Sequence, residues 1–145
     1  MLEQLSVFLE NQPGRLAHLC RTLGDAGVNM RALMVADTQE FGVVRIICDR
    51  PQGGRAALEK AGFGVSVAGV IGVEVPDTPG ALADVLEALG REGVNVEYAY
   101  CFIEPGMTGA VDVLKVDDDR AMDVLCSAGY RVLRPEDLYV PDDGA

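Results

Sequence analysis

Residues 11–29 read NQPGRLAHLCRTLGDAGVN, and residues 77–95 read DTPGALADVLEALGREGVN. The two stretches overlay without a gap, and nine of nineteen positions are identical. Self-similarity of this kind marks an internal repeat, which takes precedence over any local reading of the chain. With one residue added in a loop the overlay continues, so that Phe41-Gly42-Val43-Val44 faces Thr108-Gly109-Ala110-Val111 and Ala61-Gly62-Phe63 faces Ala128-Gly129-Tyr130. Two copies therefore fill the 145 residues, one over 1–69 and one over 70–145. That is too few for a solenoid, and each copy is near the size at which a lone domain is marginal, so the copies are expected to pack on each other.

Both copies present the same order of patterns. From Gln4 to Leu9, apolar Leu5, Val7 and Leu9 alternate with other residues as in a half-buried strand. Pro13 and Gly14 then precede Leu16, Leu19, Cys20 and Leu23, a helical spacing closed by Gly27, and the second copy repeats it from Pro79 to Gly93. Strand pairs follow: Val28 to Ala36 with Phe41 to Cys48 across the polar link Asp37 to Glu40, and Val94 to Phe102 with Ala110 to Val116 across Glu104-Pro105-Gly106. A second helix comes next, Gly-diluted at 52–61 and clear at Ala121, Val124, Leu125 and Ala128, with Asp118 or Asp119 as its cap. Closing strands run over Gly64 to Val67 and Tyr130 to Leu133, and Gly69 separates the first of these from a strand at Val70 to Val75. Strand, helix, strand, strand, helix, strand predicts an α+β protein of two tandem ferredoxin-like domains, each an antiparallel sheet with its helices on one face. Gly24 and Gly90 inside both first helices predict close packing there, since each costs about 1 kcal/mol relative to Ala.

Charge narrows the function. Residues 1–70 hold seven acids and seven bases, whereas residues 71–145 hold sixteen acids and five bases and carry the whole net charge of −11. A field of that sign, with no basic cluster, argues against nucleic acid and anionic membranes as partners. No apolar run reaches the roughly 20 residues of a membrane span, and Met1 leads into Leu2, Glu3 and Gln4 with no basic leader, so a cytoplasmic protein is expected. Cys20, Cys48, Cys101 and Cys126 are widely spaced with only His18 to join them, which predicts reduced thiols filling core gaps and no metal site. Gly64-Val65-Ser66-Val67-Ala68 matches a nucleophile elbow by letters alone, Asp117-Asp118-Asp119 lacks the glycine and glutamate of a calcium loop, and no phosphate-binding loop is present. A small isomerase or lyase on this fold would need a converging titratable pair that the sequence does not supply. No catalytic residue and no cofactor is expected.

The repeated loop is the candidate site. A helix opening on Pro13 and Gly14 presents free N–H groups from Gly14, Arg15 and Leu16, and its dipole favours an anion such as a carboxylate. With Pro13 as first helical residue, Gln12 and Thr78 take the capping slots and leave Asn11 and Asp77 free; Asp77 suits an ammonium group better than Asn11 does. Arg15 against Ala81 makes the first loop the more electropositive. Tyr98, Tyr100 and Phe102 alternate along one strand face, as a pocket lining or as core.

Asn11-x-Pro13-Gly14-x-Leu16 with Gly27-Val28-Asn29, and Asp77-x-Pro79-Gly80-x-Leu82 with Gly93-Val94-Asn95, resemble the signature of ACT domains twice over nearly the whole chain. The resemblance implies a regulatory module, not an enzyme, that binds a free amino acid where two such domains meet and passes its occupancy to an enzyme, transporter or other partner. It also implies a homodimer and contacts from Asn29 and Asn95 to ligand in the neighbouring domain. One site then combines Asn11, Gly14, Arg15 and Leu16 with Asn95, and the other Asp77, Gly80, Ala81 and Leu82 with Asn29. The competing expectation is a dimerisation module whose loops bind nothing.

Overall fold

The computed structural model describes residues 1–36, 40–106 and 108–139; most of the expected link Asp37 to Glu40 and the tail end Pro141 to Ala145 lie outside them. In chain order the elements are β1 (Leu2–Glu10), α1 (Arg15–Asp25), β2 (Met30–Ala36), β3 (Phe41–Cys48), α2 (Pro51–Lys60) and β4 (Gly64–Val75). They continue with α3 (Ala81–Arg91), β5 (Val96–Phe102), β6 (Ala110–Val116), α4 (Ala121–Ser127) and a short α5 (Pro135–Leu138). Two compact units result. The N-terminal unit holds Glu3–Ala68 with the described tail from Glu136 onward, and the C-terminal unit holds Met1–Leu2 with Gly69–Pro135.

In the N-terminal unit the strands lie in the order β2-β3-β1-β4. β1 and β2 both run antiparallel to β3, with Val7 and Val35 opposite Val44. In the C-terminal unit β6 pairs antiparallel with β4 and β5. The strand expected at Tyr130 to Leu133 is reduced to a bridge between Val132 and Val73, flanked by Glu74 N–H to Arg131 O (2.9 Å) and Leu133 N–H to Gly72 O (2.7 Å). Pro135 lacks the N–H that a longer ladder needs and opens α5 instead. These are the ferredoxin-like βαββαβ patterns expected.

Two expectations require correction. Gly69 does not divide β4, which runs unbroken from Gly64 to Val75. Within each unit its core-facing residues alternate, Val65 and Val67 in the first and Ile71, Val73 and Val75 in the second. The overlay of β3 on β6 also shifts by one residue. Leu9 pairs with Gly42 and Val7 with Val44, whereas Val75 pairs with Ala110 and Val73 with Asp112. Gly42 therefore corresponds to Ala110, not Gly109, and Val44 to Asp112. Matching the glycines by letter puts Val111 on the wrong face, because a one-residue slip inverts every side chain of a strand.

Each helix lays a short apolar stripe on its sheet. α1 buries Leu19 and Leu23 against Leu5, Val7 and Val44, and α3 buries Val85 and Leu89 against Ile71 and Val73. All four long helices end alike. Gly27, Gly62, Gly93 and Gly129 have positive φ, and the next residue donates its N–H back to Leu23, Leu58, Leu89 or Leu125. This Schellman arrangement satisfies carbonyls that a helix end otherwise leaves open. Asp118 caps a turn, not α4: its carboxylate accepts the Arg120 N–H at 2.9 Å and pairs with the guanidinium at 2.7 Å, which holds its pKa down at about 2.

Gly24 and Gly90 are not close-packed, since a Cβ at either would meet nothing within 4 Å. They occupy the last helical turn, where the Gly24 and Gly90 carbonyls accept the N–H groups of Gly27 and Gly93. The thiols are only partly as expected: Cys48 is buried and Cys20 half-buried, but Cys101 and Cys126 are exposed. Tyr98 and Tyr100 are half-buried and Phe102 is buried; they lie opposite Lys115, Val113 and Val111, on the sheet face away from the helices.

Three substitutions test this packing. Gly24→Ala and Gly90→Ala are each expected to stabilise by about 0.5–1 kcal/mol in urea titrations. Gly109→Ala is expected to destabilise by about 3 kcal/mol or more, because its Cβ would fall 2.3 Å from the Val75 carbonyl oxygen. The tail supplies a pH test. The Tyr139 hydroxyl accepts the Glu3 N–H and donates to the Glu3 carbonyl at 3.2 Å, and burial pushes its pKa up to about 12. A phenol whose pKa is raised on folding contributes stability that is whole below its ordinary value near 10 and lost as pH rises through about 12. Tyr139→Phe is expected to remove that alkaline loss.

Candidate functional site

The two Pro-Gly pairs form the same turn. Gly14 has φ 86° and ψ −13°, and Gly80 has φ 82° and ψ −5°. The Arg15 N–H reaches the Gln12 carbonyl at 3.3 Å, and the Ala81 N–H reaches that of Thr78 at 3.2 Å. Proline second and a positive-φ glycine third make each a type II turn. The helices consequently begin one residue after glycine, with Gly14 and Gly80 as N-caps and no side-chain cap. Pro13 is thus not helical, and neither Gln12 nor Thr78 takes the capping slot.

This turn changes which donors are open. Arg15 and Ala81 spend their N–H groups on the turn, and His18 and Asp84 begin the helical ladder by bonding Gly14 and Gly80 carbonyls at 2.9 Å and 3.0 Å. Leu16 and Ala17 in one copy, and Leu82 and Ala83 in the other, keep N–H groups without a partner among the described residues. Such groups at the positive end of a helix attract an anion.

Beside the first turn lies a pocket of about 150 Å³. The loop contributes Glu10, Asn11 and Gln12, the helix Leu16, and the sheet Leu9, Val35, Ala36 and Gly42. The Asn11 N–H donates to the Glu40 carbonyl at 2.9 Å, which ties the loop to the start of β3. Gln12 and the sheet residues were not expected. They arrive through the register that sets the end of β2 and the start of β3 beside the end of β1, and nothing in the local letters announces it.

Arg15 does not line this pocket. Its guanidinium lies 5.1 Å from the centre of the Phe63 ring, which also meets His18 at 5.3 Å, and its Nε is buried without a hydrogen-bond partner among the described residues. The ring face holds the cation there. Nor does the N-terminal unit bring Asn29 to its own loop. Just before the start of β2, the Asn29 N–H donates to the Asp49 carboxylate Oδ1 at 2.9 Å and the Asn29 carbonyl accepts the Asp49 N–H at 3.0 Å. The pocket is at the other end of that strand, roughly 20 Å away at 3.3 Å per residue.

The second turn differs in shape and charge. Asp77 and Thr78 line an opening of about 490 Å³ with Glu74, Val75, Pro76, Thr108, Gly109 and Gly129 to Arg131. Arg131 pairs with Glu74 at 3.2 Å across it. Gly80, Ala81 and Leu82 do not line it, and Asn95 is exposed before β5. α3 carries Asp84 in its first turn, whereas α1 has no acid there. The first loop is therefore the better anion site by charge, and the second is surrounded by carboxylates.

Residues 1–140 match the family model of the ACT domain pair. This chain belongs to the ACT domain family. A crystallised protein from Bacteroides thetaiotaomicron is 35% identical, with 97% of this chain and 96% of that one covered and a TM-score of 0.87. The ligand-free regulatory subunit of aspartate kinase from Thermus thermophilus shares the fold at 17% identity, covering 88% of this chain and 90% of its own, with a TM-score of 0.66. The corresponding subunit from Thermus flavus is also 17% identical over the same shares, at 0.61. No curated protein matches the sequence. ACT domains are regulatory modules, and an ACT pair is consistent with amino-acid-sensing regulation. Among the described residues no helix is long and apolar enough to cross a membrane, and no cluster of three metal-ligating side chains occurs.

Gly14→Ala and Gly80→Ala isolate the turn. A Cβ at either meets nothing within 4 Å, so the cost is the left-handed backbone alone, about 1–2 kcal/mol. Denaturant titration of each variant is expected to show that loss with a folded chain.

Proposed function

We propose that this ACT pair is an amino-acid sensor: each repeated loop takes the carboxylate of a free amino acid on the open N–H groups of the following helix, and occupancy is passed to a partner protein. The observation that carries the reading is the pair of unpartnered donors at Leu16 and Ala17 beside a pocket. A helix start with open N–H groups, no acid in its first turn and a neighbouring cavity is suited to an anion of limited size. The volume of about 150 Å³ lies below the 300–1,000 Å³ range of drug-sized ligands and suits a small metabolite.

The residues assigned to the first loop are Asn11, Gly14, Arg15 and Leu16, joined by Gln12 and Val35. Asn11 stands at the pocket and offers an amide to the ligand, while Gly14 lets the ligand reach the backbone. Arg15 acts from the Phe63 ring by its charge. Asp77, Gly80, Ala81 and Leu82 form the second loop, with Asn29 and Asn95 as partners of the kind the family uses. The assembly is proposed to be a homodimer, and the chain to regulate without catalysing.

Thermal unfolding against the twenty free amino acids at millimolar concentration tests this. A ligand at 100 times its dissociation constant stabilises by about 2.7 kcal/mol, a rise of several degrees in the midpoint. The expected result is a shift with one or a few related amino acids that is lost in Asn11→Ala. No shift with any of them overturns the sensor reading and leaves a dimerisation module.

A further inference from the structure

The outer face of the N-terminal sheet carries apolar surface that its own unit does not bury. Leu5, Val7 and Leu9 of β1 and Val44 and Ile46 of β3 belong to the core beneath the helices, so alternation turns Phe8, Phe41 and Val43 to the opposite face. Register extends that face onto β2, where Ala36 lies opposite Val43 and Met34 opposite Arg45. Phe8 in turn lies opposite Val43, and a Cβ at Gly64 of the neighbouring β4 would stand 3.8 Å from the Phe8 ring. An apolar row therefore crosses all four strands, and Phe41 stands two residues further along β3, opposite Glu10. Phe8 is 62% exposed and Phe41 59%, while Val43, Met34 and Ala36 are half-buried.

The second copy shows that the fold does not require this patch. Pairing makes Glu74 the counterpart of Phe8 and Gly109 that of Phe41. Arg131 takes the place of Gly64 in the overlay and pairs with Glu74 at 3.2 Å. One unit thus presents a solvated ion pair where the other presents phenylalanine. With Phe8 and Phe41 about six-tenths exposed and three apolar neighbours beside them, the face leaves roughly 300–400 Å² of apolar surface, the size of patch that marks an interaction site.

We propose that this face is a dimer interface, in which two copies of the chain stack their N-terminal sheets about a twofold axis and each covers the other's Phe8 and Phe41. Charge favours a second copy as the occupant. The face bears one carboxylate, Glu10, and one guanidinium, Arg45, and residues 1–70 balance seven acids with seven bases, so two such faces meet without repulsion. A contact through residues 71–145, with sixteen acids against five bases, would set like charge against like. A twofold axis doubles the apolar patch, which with its polar rim reaches the roughly 1,000 Å² at the low end of specific interfaces. The dimer is accordingly weak, with a dissociation constant on the order of micromolar. This inference names the face of the homodimer proposed above and is independent of whether the loops bind an amino acid.

Sedimentation velocity over a concentration series tests it on the wild-type chain, on Phe8→Glu, which installs the residue of the second copy, and on Phe41→Thr. Both side chains are exposed in the single chain, so circular dichroism and unfolding midpoints at high dilution are expected to match wild type. The wild-type chain is expected to pass from monomer to dimer with rising concentration, little changed by high salt, and each variant to weaken that step by about 10- to 100-fold. A dimer that high salt dissolves, or that both variants retain, overturns the assignment of this face. A wild-type chain that stays monomeric at millimolar concentration overturns the dimer itself and leaves the patch to a protein of other sequence. The loops are tested separately by the amino-acid screen, so failure here and failure of the sensor reading are told apart.

Discussion

Gly14 and Gly80 hold φ values of 86° and 82°, and each unit is organised around that backbone constraint. With proline before it, a left-handed glycine turns the chain out of its first strand within four residues and leaves the next residue in helical geometry. The helix then starts at Arg15 or Ala81, and its stripe falls in phase with the sheet, so that Leu19 and Leu23, or Val85 and Leu89, become core. A side-chain cap is missing for the same reason: the capping residue is glycine. The open donors are therefore a direct result of how the chain makes the turn.

The first and last residues extend each unit beyond its own repeat. Leu2 packs over Gly72 beside Leu133 and Val111 in the C-terminal unit, and Gly72 leaves the space it needs, since a Cβ there would lie 2.8 Å from Leu2. Tyr139 binds both backbone groups of Glu3 in the N-terminal unit. β4 supplies residues to both cores, Val65 and Val67 in the N-terminal unit and Ile71, Val73 and Val75 in the C-terminal unit.

Charge divides what the repeat makes alike. The first helix begins with Arg15 on Phe63 and no acid in its first turn; the second begins with Asp84 and follows Asp77. Asp112 adds a third carboxylate at a position that is Val44 in the first copy. The surplus of acids in residues 71–145 is thus more than a solvated face. Part of it surrounds the second loop and sets it apart electrostatically from the first.

The family, the order of elements and the glycine stops at Gly27 and Gly93 were legible in the letters because they depend on short-range chemistry. Period-2 and period-3.6 alternation, Pro-Gly turns and Gly-Val-Asn exits are each decided within a few residues. The second-half strands show the limit. Letter identity aligned Gly42 with Gly109, but pairing aligns it with Ala110, because hydrogen bonds between distant residues and the burial of one face choose the register. The same long-range pairing brought Val35, Ala36 and Gly42 to the first loop, put Phe63 under Arg15 and turned Asp112 toward the helices. The sequence by itself determined the repeat, its turns and its amphipathic faces; only the tertiary structure decided which side chains those turns would meet, since that depends on register between segments far apart in the chain.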